Sequence, residues 1–234
     1  LLFYCGYVSK ARPYIANKYS MLSLRQIFDT KLTLKSDKWE PYFDVYETHF
    51  SKFRNNNPTF VEVGVQSGGS MQMWREYFGD GARIYGIDIA PEVTEVEGTT
   101  IIVGDQSSPE FWDEQLASIG EIDCFVDDGG HTSTQMRVTF DKVWPKITPG
   151  GVFICEDTHC SYWNAWEGSY KGDNTFVEFA KKFADIVHID HLQCGIPNEL
   201  AELPRDVMHV GFYNSQIVFI KGKPAFNRLI VNQK

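Results

Sequence analysis

The sequence predicts an α/β fold: one seven-stranded, mostly parallel sheet with helices on both faces and an antiparallel last strand. Three observations predict it. Thr59 to Asp88 reads as strand, glycine turn, helix, strand and acid, half of a nucleotide-binding sheet. The same alternation then recurs, each short β-branched run closing on an acidic residue, which implies a parallel sheet with right-handed crossovers. Near the end, Val207 to Phe212 and Gln216 to Lys221 flank Tyr213-Asn214-Ser215, a hairpin turn that permits an antiparallel final strand.

The elements follow in chain order. Residues 1–35 form an N-terminal helical extension, with helical patterning from Ala11 to Leu34 around Met21, Leu22, Leu24, Ile27 and Phe28. It could cap the sheet, pack on another domain or make the contact of a homo-oligomer. The α/β domain occupies residues 36–234. After Ser36-Asp37-Lys38-Trp39, a helix from Pro41 to Phe53 places Phe43, Tyr46 and Phe50 on one face. Phe60 to Val63 is a buried strand; Met71, Met73, Trp74, Tyr77 and Phe78 recur at helical spacing, and Gly79-Asp80-Gly81 stops that helix. Arg83 to Ile87 is the second strand, Ala90 to Gly98 an acidic loop, and Thr99 to Val103 the third strand. Ser108-Pro109-Glu110 opens a helix that runs to about Ser118. Ile122 to Val126 is a strand, Thr132 to Ile147 a helix, Pro149-Gly150-Gly151 a turn and Val152 to Cys155 the fifth strand. Cys160 to Asp173 is long for a simple connection and reads as a binding loop. Asn174 to Phe183 is a helix, and Ile186 to Leu192 reads as strand six.

The length of 234 residues suffices for one sizeable α/β domain with a complete core. A net charge of −9 argues against a nucleic-acid partner, because phosphate contacts need a basic face. No stretch approaches the roughly 20 apolar residues of a membrane span. LLFYCGYV at the start is too short for one and lacks a secretory cleavage pattern. Five cysteines, an odd count with no C-x-x-C, read as free thiols in a reducing, cytoplasmic compartment. The chain opens without Met, so a processed product or a domain of a longer protein is expected.

The glycine turn narrows the ligand. Dinucleotide sites use G-x-G-x-x-G to cradle pyrophosphate at a helix N-terminus; here the spacing is Glu62-x-Gly64-x-x-x-Gly68-Gly69. Glu62, on the strand before the turn, would repel phosphate and favour a cationic or amine-bearing ligand. Asp88, at the end of the second strand, is placed to accept hydrogen bonds from ribose hydroxyls. An adenosine with an ammonium and no phosphate, S-adenosylmethionine (SAM), fits both acids; the alternative is a generic turn of unspecified ligand.

VEVGVQSGGSMQMWREYF followed by YGIDI resembles the first two motifs of class I SAM-dependent methyltransferases. With DKW, GDQSS, VDDGGH, PGGVFICEDTH and SYW in order, Asp37 to Trp163 resembles the metal-dependent O-methyltransferases that modify macrolide sugars. The match covers a little over half the chain. The resemblance implies a Rossmann-like fold and a SAM site built from Glu62, Gly64, Gln66, Ser67, Gly68, Ser70, Asp88, Ile89, Asp105, Gln106 and Asp127. It also implies an approach segment lying over cofactor and acceptor. Trp39 and Tyr46 are then lid candidates, with aromatic core contacts as the alternative. Asp105 and Gln106 would face the adenine edge, although without the resemblance they read as an ordinary helix-start turn.

Asp128, Glu156 and Asp157 are three carboxylates from adjacent strand ends, and such a set repels itself unless neutralised. A hard divalent ion, Mg²⁺ or Mn²⁺, would do so while keeping about three octahedral positions open for a vicinal diol and one water. The alternative is that they cap helix amides. His131, three residues past Asp128, can take a proton from a hydroxyl, or can cap the helix it begins. In the resembling family the corresponding histidine is the base and the corresponding acids bind Mg²⁺. Gly130 stands where that family usually has Ser, a departure expected to leave the base in place and loosen its loop. Tyr162 and Trp163 could stack on a sugar ring, and His159 could contact it. The expected activity is SAM- and Mg²⁺-dependent O-methylation of a sugar hydroxyl on a glycosylated small molecule or glycan, with Asp128 and His131 as the catalytic pair. The alternatives are a catechol-type acceptor and an accessory domain of a longer glycan-building enzyme. NAD-dependent reduction is disfavoured by the absent G-x-G-x-x-G.

Overall fold

The computed structural model describes residues 21–90 and 92–223. The expectations for residues 1–20 and 224–234 lie outside the described residues. Ser23 opens α1, Leu24–Lys31, through a capping box in which its side chain accepts from Gln26 N–H and Gln26 reaches back. α2 is Tyr42–Phe50. The sheet begins with β1, Thr59–Val63, fully buried along its length, and is followed by α3, Gly69–Phe78, and β2, Arg83–Asp88. β3 is Thr99–Val103, α4 Pro109–Ile119, β4 Ile122–Asp127 and α5 Ser133–Val143. β5, Ile147–Cys155, precedes the short helices α6, Phe176–Lys181, and α7, Phe183–Val187. β6, Val207–Phe212, and β7, Ile217–Lys221, close the described chain.

The strands form one seven-stranded sheet in the order β3-β2-β1-β4-β5-β7-β6. β1 to β5 run parallel, and β7 lies antiparallel between β5 and β6. Alternate residues of a strand face opposite sides, so the sheet has two cores. Val61, Phe125, Phe153 and Phe219 face a layer containing Trp112, Met136, Phe140, Phe179 and Phe183. Phe60, Cys124, Val152, Ile154 and Val218 face the other, containing Leu24, Ile27, Tyr46, Phe50, Met71 and Trp74. Helices thus cover both faces, as expected, and α1 packs into the second core through Leu24 and Ile27.

Three local expectations are corrected. Ile186 to Leu192 is not a strand: α7 ends at Val187 and a 3₁₀ turn spans Ile189–His191. Its β-branched run invites a strand, but Phe183 and Ile186, three apart, are both buried as one helical face; Phe183 packs on Phe140 and Phe219 at 5.5 and 5.2 Å. The helix after His131 stops at Val143, because Pro145 follows at once. β5 therefore starts at Ile147, and Pro149-Gly150-Gly151 sits within it as a break in register rather than as a separate turn. α6 begins at Phe176, capped by Thr175, and ends at Lys181, shorter than expected at both ends.

Candidate active site

The parallel strands all present their carboxyl ends to one edge, where a cleft of about 620 Å³ opens, within the usual range for a small-molecule site. Its floor is the turn after β1. Gly64 has φ +88°, and a Cβ there would lie 1.8 Å from the Asp128 carbonyl oxygen, so only glycine lets the turn pass this close to the β4 end. Asp88 fixes the turn: its Oδ2 accepts from Val65 N and Gln66 N at 2.8 and 2.9 Å, and its Oδ1 from Ala90 N at 2.9 Å. A carboxylate has about four lone-pair sites, so Asp88 is mainly a strut of the turn, with little capacity left over.

β4 and β5 deliver the acids. Glu156 N donates to Asp127 O at 2.8 Å, which sets the two strand ends side by side. Glu62 and Glu156 are fully buried, whereas the side chains of Asp128 and Asp157 are about a fifth exposed, at 21% and 23%. At their centre lies a group the sequence reading did not single out. The Lys38 ammonium bonds Glu62 Oε1 at 3.2 Å, Asp128 Oδ2 at 2.5 Å and Glu156 Oε2 at 3.2 Å. Burial works against that ammonium, but Asp128, Glu156, Tyr46 and Glu62 outweigh it and hold its pKa well above the ordinary lysine value. Burial pushes Glu62 and Glu156 above the ordinary carboxylate range; Lys38 pulls back, and Asp128 adds to the push. The expectation that Glu62 wants a cationic neighbour thus meets an internal cation.

Two tyrosines complete the support. The Tyr46 hydroxyl donates to Glu156 Oε1, and Tyr42 donates to Asp157 Oδ1 at 2.6 Å. Burial is the first cause that lifts both phenols out of the titratable range. Tyr46 is therefore no lid: it is wholly buried beneath the acids, while Trp39 is 61% exposed at the cleft mouth. Tyr42 and Tyr46 stand four residues apart on one side of α2, and that period was the available signal for them; Lys38 lies before the helix.

His131 and Asp157 both hold left-handed backbone, φ +61° and +50°, as does Gln66 at +48°. Strain of this kind gathers where side-chain placement matters. His131 Nε2 lies 3.7 Å from Asp157 Oδ2, and the ligand atoms of Asp128, His131 and Asp157 all fall within 4.8 Å of one another. An oxygen-rich set suits a hard divalent cation, against which the neighbouring Lys38 ammonium competes. His131 Nδ1 and Asp127 Oδ2 are buried without a hydrogen-bond partner among the described residues.

Gln106 is placed differently from the adenine-edge expectation. It is buried; its Nε2 donates to Asp127 Oδ1 at 2.9 Å and Thr139 Oγ1 at 3.1 Å, and its Oε1 accepts from Gly130 N at 2.8 Å. It braces the 127–130 loop. Asp105 Oδ1 accepts from Ser107 N at 2.8 Å, the ordinary helix-start arrangement. Ser70 Oγ donates to Glu62 Oε2 at 2.6 Å. Gly64, Gln66, Ser70, Asp88, Ile89, Asp105, Gln106, Asp128, His131, Glu156 and Asp157 line the cleft. Glu62, Ser67, Gly68 and Asp127 do not, and neither do His159, Tyr162 and Trp163. His159 Nδ1 instead bonds Ser215 Oγ, and its ring meets Trp163 edge-on at 4.5 Å.

Residues 61–158 match a family described as a methyltransferase domain. The chain is 39% identical over 164 residues to an 8-demethyl-8-alpha-L-rhamnosyl tetracenomycin-C 2'-O-methyltransferase of Streptomyces olivaceus, covering 65% of this chain and 43% of that one. It is 29% identical over 210 residues to the demethylmacrocin O-methyltransferase of Streptomyces fradiae, covering 85% and 53%. Among solved structures, a methyltransferase of the mycinamycin biosynthetic pathway, in complex with Mg and SAH, superposes with TM-score 0.76 at 27% identity, over 88% of this chain and 56% of that one. The chain thus spans about half the length of the curated relatives it matches.

Proposed function

We propose that this chain, whose residues 61–158 match a methyltransferase domain, is a SAM- and divalent-cation-dependent O-methyltransferase acting on a sugar hydroxyl. The observation that carries the reading is the convergence of the Gly64 turn, the Asp128–Asp157 carboxylates and His131 on one cleft. The relatives support it, since they are named for O-methylation of a rhamnosyl tetracenomycin and of demethylmacrocin. One structural neighbour was solved with Mg and SAH, and another also with mycinamycin VI. SAM and Mg²⁺ or Mn²⁺ are therefore the cofactors proposed here.

When bound, SAM supplies an electrophilic methyl, and the divalent ion lowers the pKa of a coordinated hydroxyl. The chain's own residues do the rest. Gly64 lets the turn close against the Asp128 backbone, and Asp88 holds that turn in place. Asp128, Asp157 and Glu156 are the proposed cation ligands. His131 takes the proton from the acceptor hydroxyl; its left-handed backbone aims the ring at Asp157 and the cleft. Holding nucleophile and donor in line supplies much of the rate. Trp39 at the cleft mouth offers an aromatic face for an acceptor ring. Tyr162, Trp163 and His159, from the loop after β5, are proposed to meet the acceptor's outer part; they do not line the cleft, and the two larger rings are exposed.

The test is methyl transfer from labelled SAM to a deoxyhexoside and to a catechol, each with Mg²⁺ and with EDTA. The glycoside is expected to be methylated only with the cation, and Asp128→Asn to lose both activity and cation dependence. Turnover of Asp128→Asn that is retained and EDTA-insensitive would refute the cation assignment; preference for the catechol would refute the sugar acceptor.

A further inference from the structure

Lys38 occupies an unusual position for a lysine: its side chain is 3% exposed, and all three acceptors of its ammonium are carboxylates. An ammonium has three donors, so Glu62, Asp128 and Glu156 exhaust it. Two of these, Asp128 and Glu156, are acids proposed above as cation ligands. Each Glu156 oxygen has one partner, Tyr46 at Oε1 and Lys38 at Oε2, and keeps one lone pair. A divalent ion engaging Asp128 and Glu156 would come within a few ångströms of the ammonium, and two cations that close in a buried site repel strongly. Glu62 offers Lys38 a retreat. It is not among the proposed ligands, it is fully buried, and Ser70 Oγ fixes its other oxygen at 2.6 Å.

We infer that Lys38 and the divalent ion are alternative occupants of the Asp128–Glu156 pair, Lys38 withdrawing onto Glu62 when the ion arrives. The inference rests on the cation reading above. The lysine keeps the acids assembled while the site holds no ion, which limits the penalty of burying like charges together. Its withdrawal also couples ion binding to the cleft wall. Gln72 Oε1 clamps Thr33 N and Leu34 N at 2.9 and 3.0 Å on one side. α2 begins at Tyr42 on the other, and the stretch between, Lys35 to Trp39, lines the cleft. Movement of Lys38 therefore moves the segment that carries Trp39. Lys38 is on this account a positioning residue that sets cation affinity.

Two measurements test it on the whole chain. Mn²⁺ binding is followed by electron paramagnetic resonance for wild type and Lys38→Met. Removing a unit positive charge at this range is expected to tighten Mn²⁺ about tenfold or more. In parallel, Mn²⁺ binding is followed for Glu62→Gln. Removing the carboxylate onto which Lys38 withdraws is expected to weaken Mn²⁺ about tenfold or more. Equal or weaker Mn²⁺ affinity in Lys38→Met overturns the inference. If that variant does not fold, unchanged or tighter Mn²⁺ affinity in Glu62→Gln overturns it instead. A wild-type chain that takes up no Mn²⁺ overturns the underlying cation reading, an outcome distinct from both.

Discussion

Gly64 shows how much of the site rests on a single missing side chain. Its positive φ and the Asp128 carbonyl 1.8 Å from a notional Cβ leave no low-energy place for alanine. Gly64→Ala is expected to lower stability by about 3 kcal/mol or more, read as a fall in Tm, and to displace Asp128. His131 makes a different demand. His131→Ala is expected to cut kcat by about 10²- to 10⁴-fold while SAM still binds by calorimetry; collapse of SAM affinity would mark the histidine as structural. Gly64, Asp88, Asp128, Glu156 and Asp157 were legible in the sequence because strand ends and glycine spacing announce them. Lys38 was not, since a lone lysine in a polar segment carries no sign that three acids, one of them 118 positions away, will close around it. Gln106 was legible as a residue of the site edge, but its bracing of Asp127 and Gly130 depends on a contact between two loops.

At the scale of elements, α2 links the acids to the far edge of the sheet. Tyr42 and Tyr46 reach Asp157 and Glu156 from one end, and His49 Nε2 pairs with the Tyr213 hydroxyl at 2.9 Å at the other. Burial lowers the His49 pKa from its ordinary value of 6.5, and His209 and Lys52 lower it further. A histidine depressed in the fold contributes stability that is full above the unfolded value and is lost as pH falls through the folded one. Thermal melts from pH 7.5 to pH 5 are therefore expected to fall more steeply for wild type than for His49→Gln; parallel curves would contradict this. The strands β1 to β5 and the hairpin between β6 and β7 followed from apolar runs and turn residues. The misread element, Ile186 to Leu192, failed for a reason outside local sequence: β-branched residues favour a strand, but the aromatic layer of Phe140, Phe179 and Phe219 accepts Phe183 only from a helix.

For the whole molecule, the sheet is the frame that turns scattered acids into one site. Five parallel strands point their ends at one edge, and two separate cores hold that edge rigid. A net charge of −9 suits a neutral acceptor and a cationic donor better than a polyanion. Among the described residues no helix is long and apolar enough to cross a membrane. The likeness to the rhamnosyl tetracenomycin-C and demethylmacrocin O-methyltransferases extends over about half of their length, so the acceptor's outer contacts belong to the proposal. The central claim is that the strand-end cleft is a site for a nucleoside carrying a sulfonium rather than a pyrophosphate. Calorimetric titration tests it most directly: SAM is expected to bind saturably at one molecule per chain, with NAD giving no saturable heat. Saturable binding of NAD, or none of SAM, would contradict it.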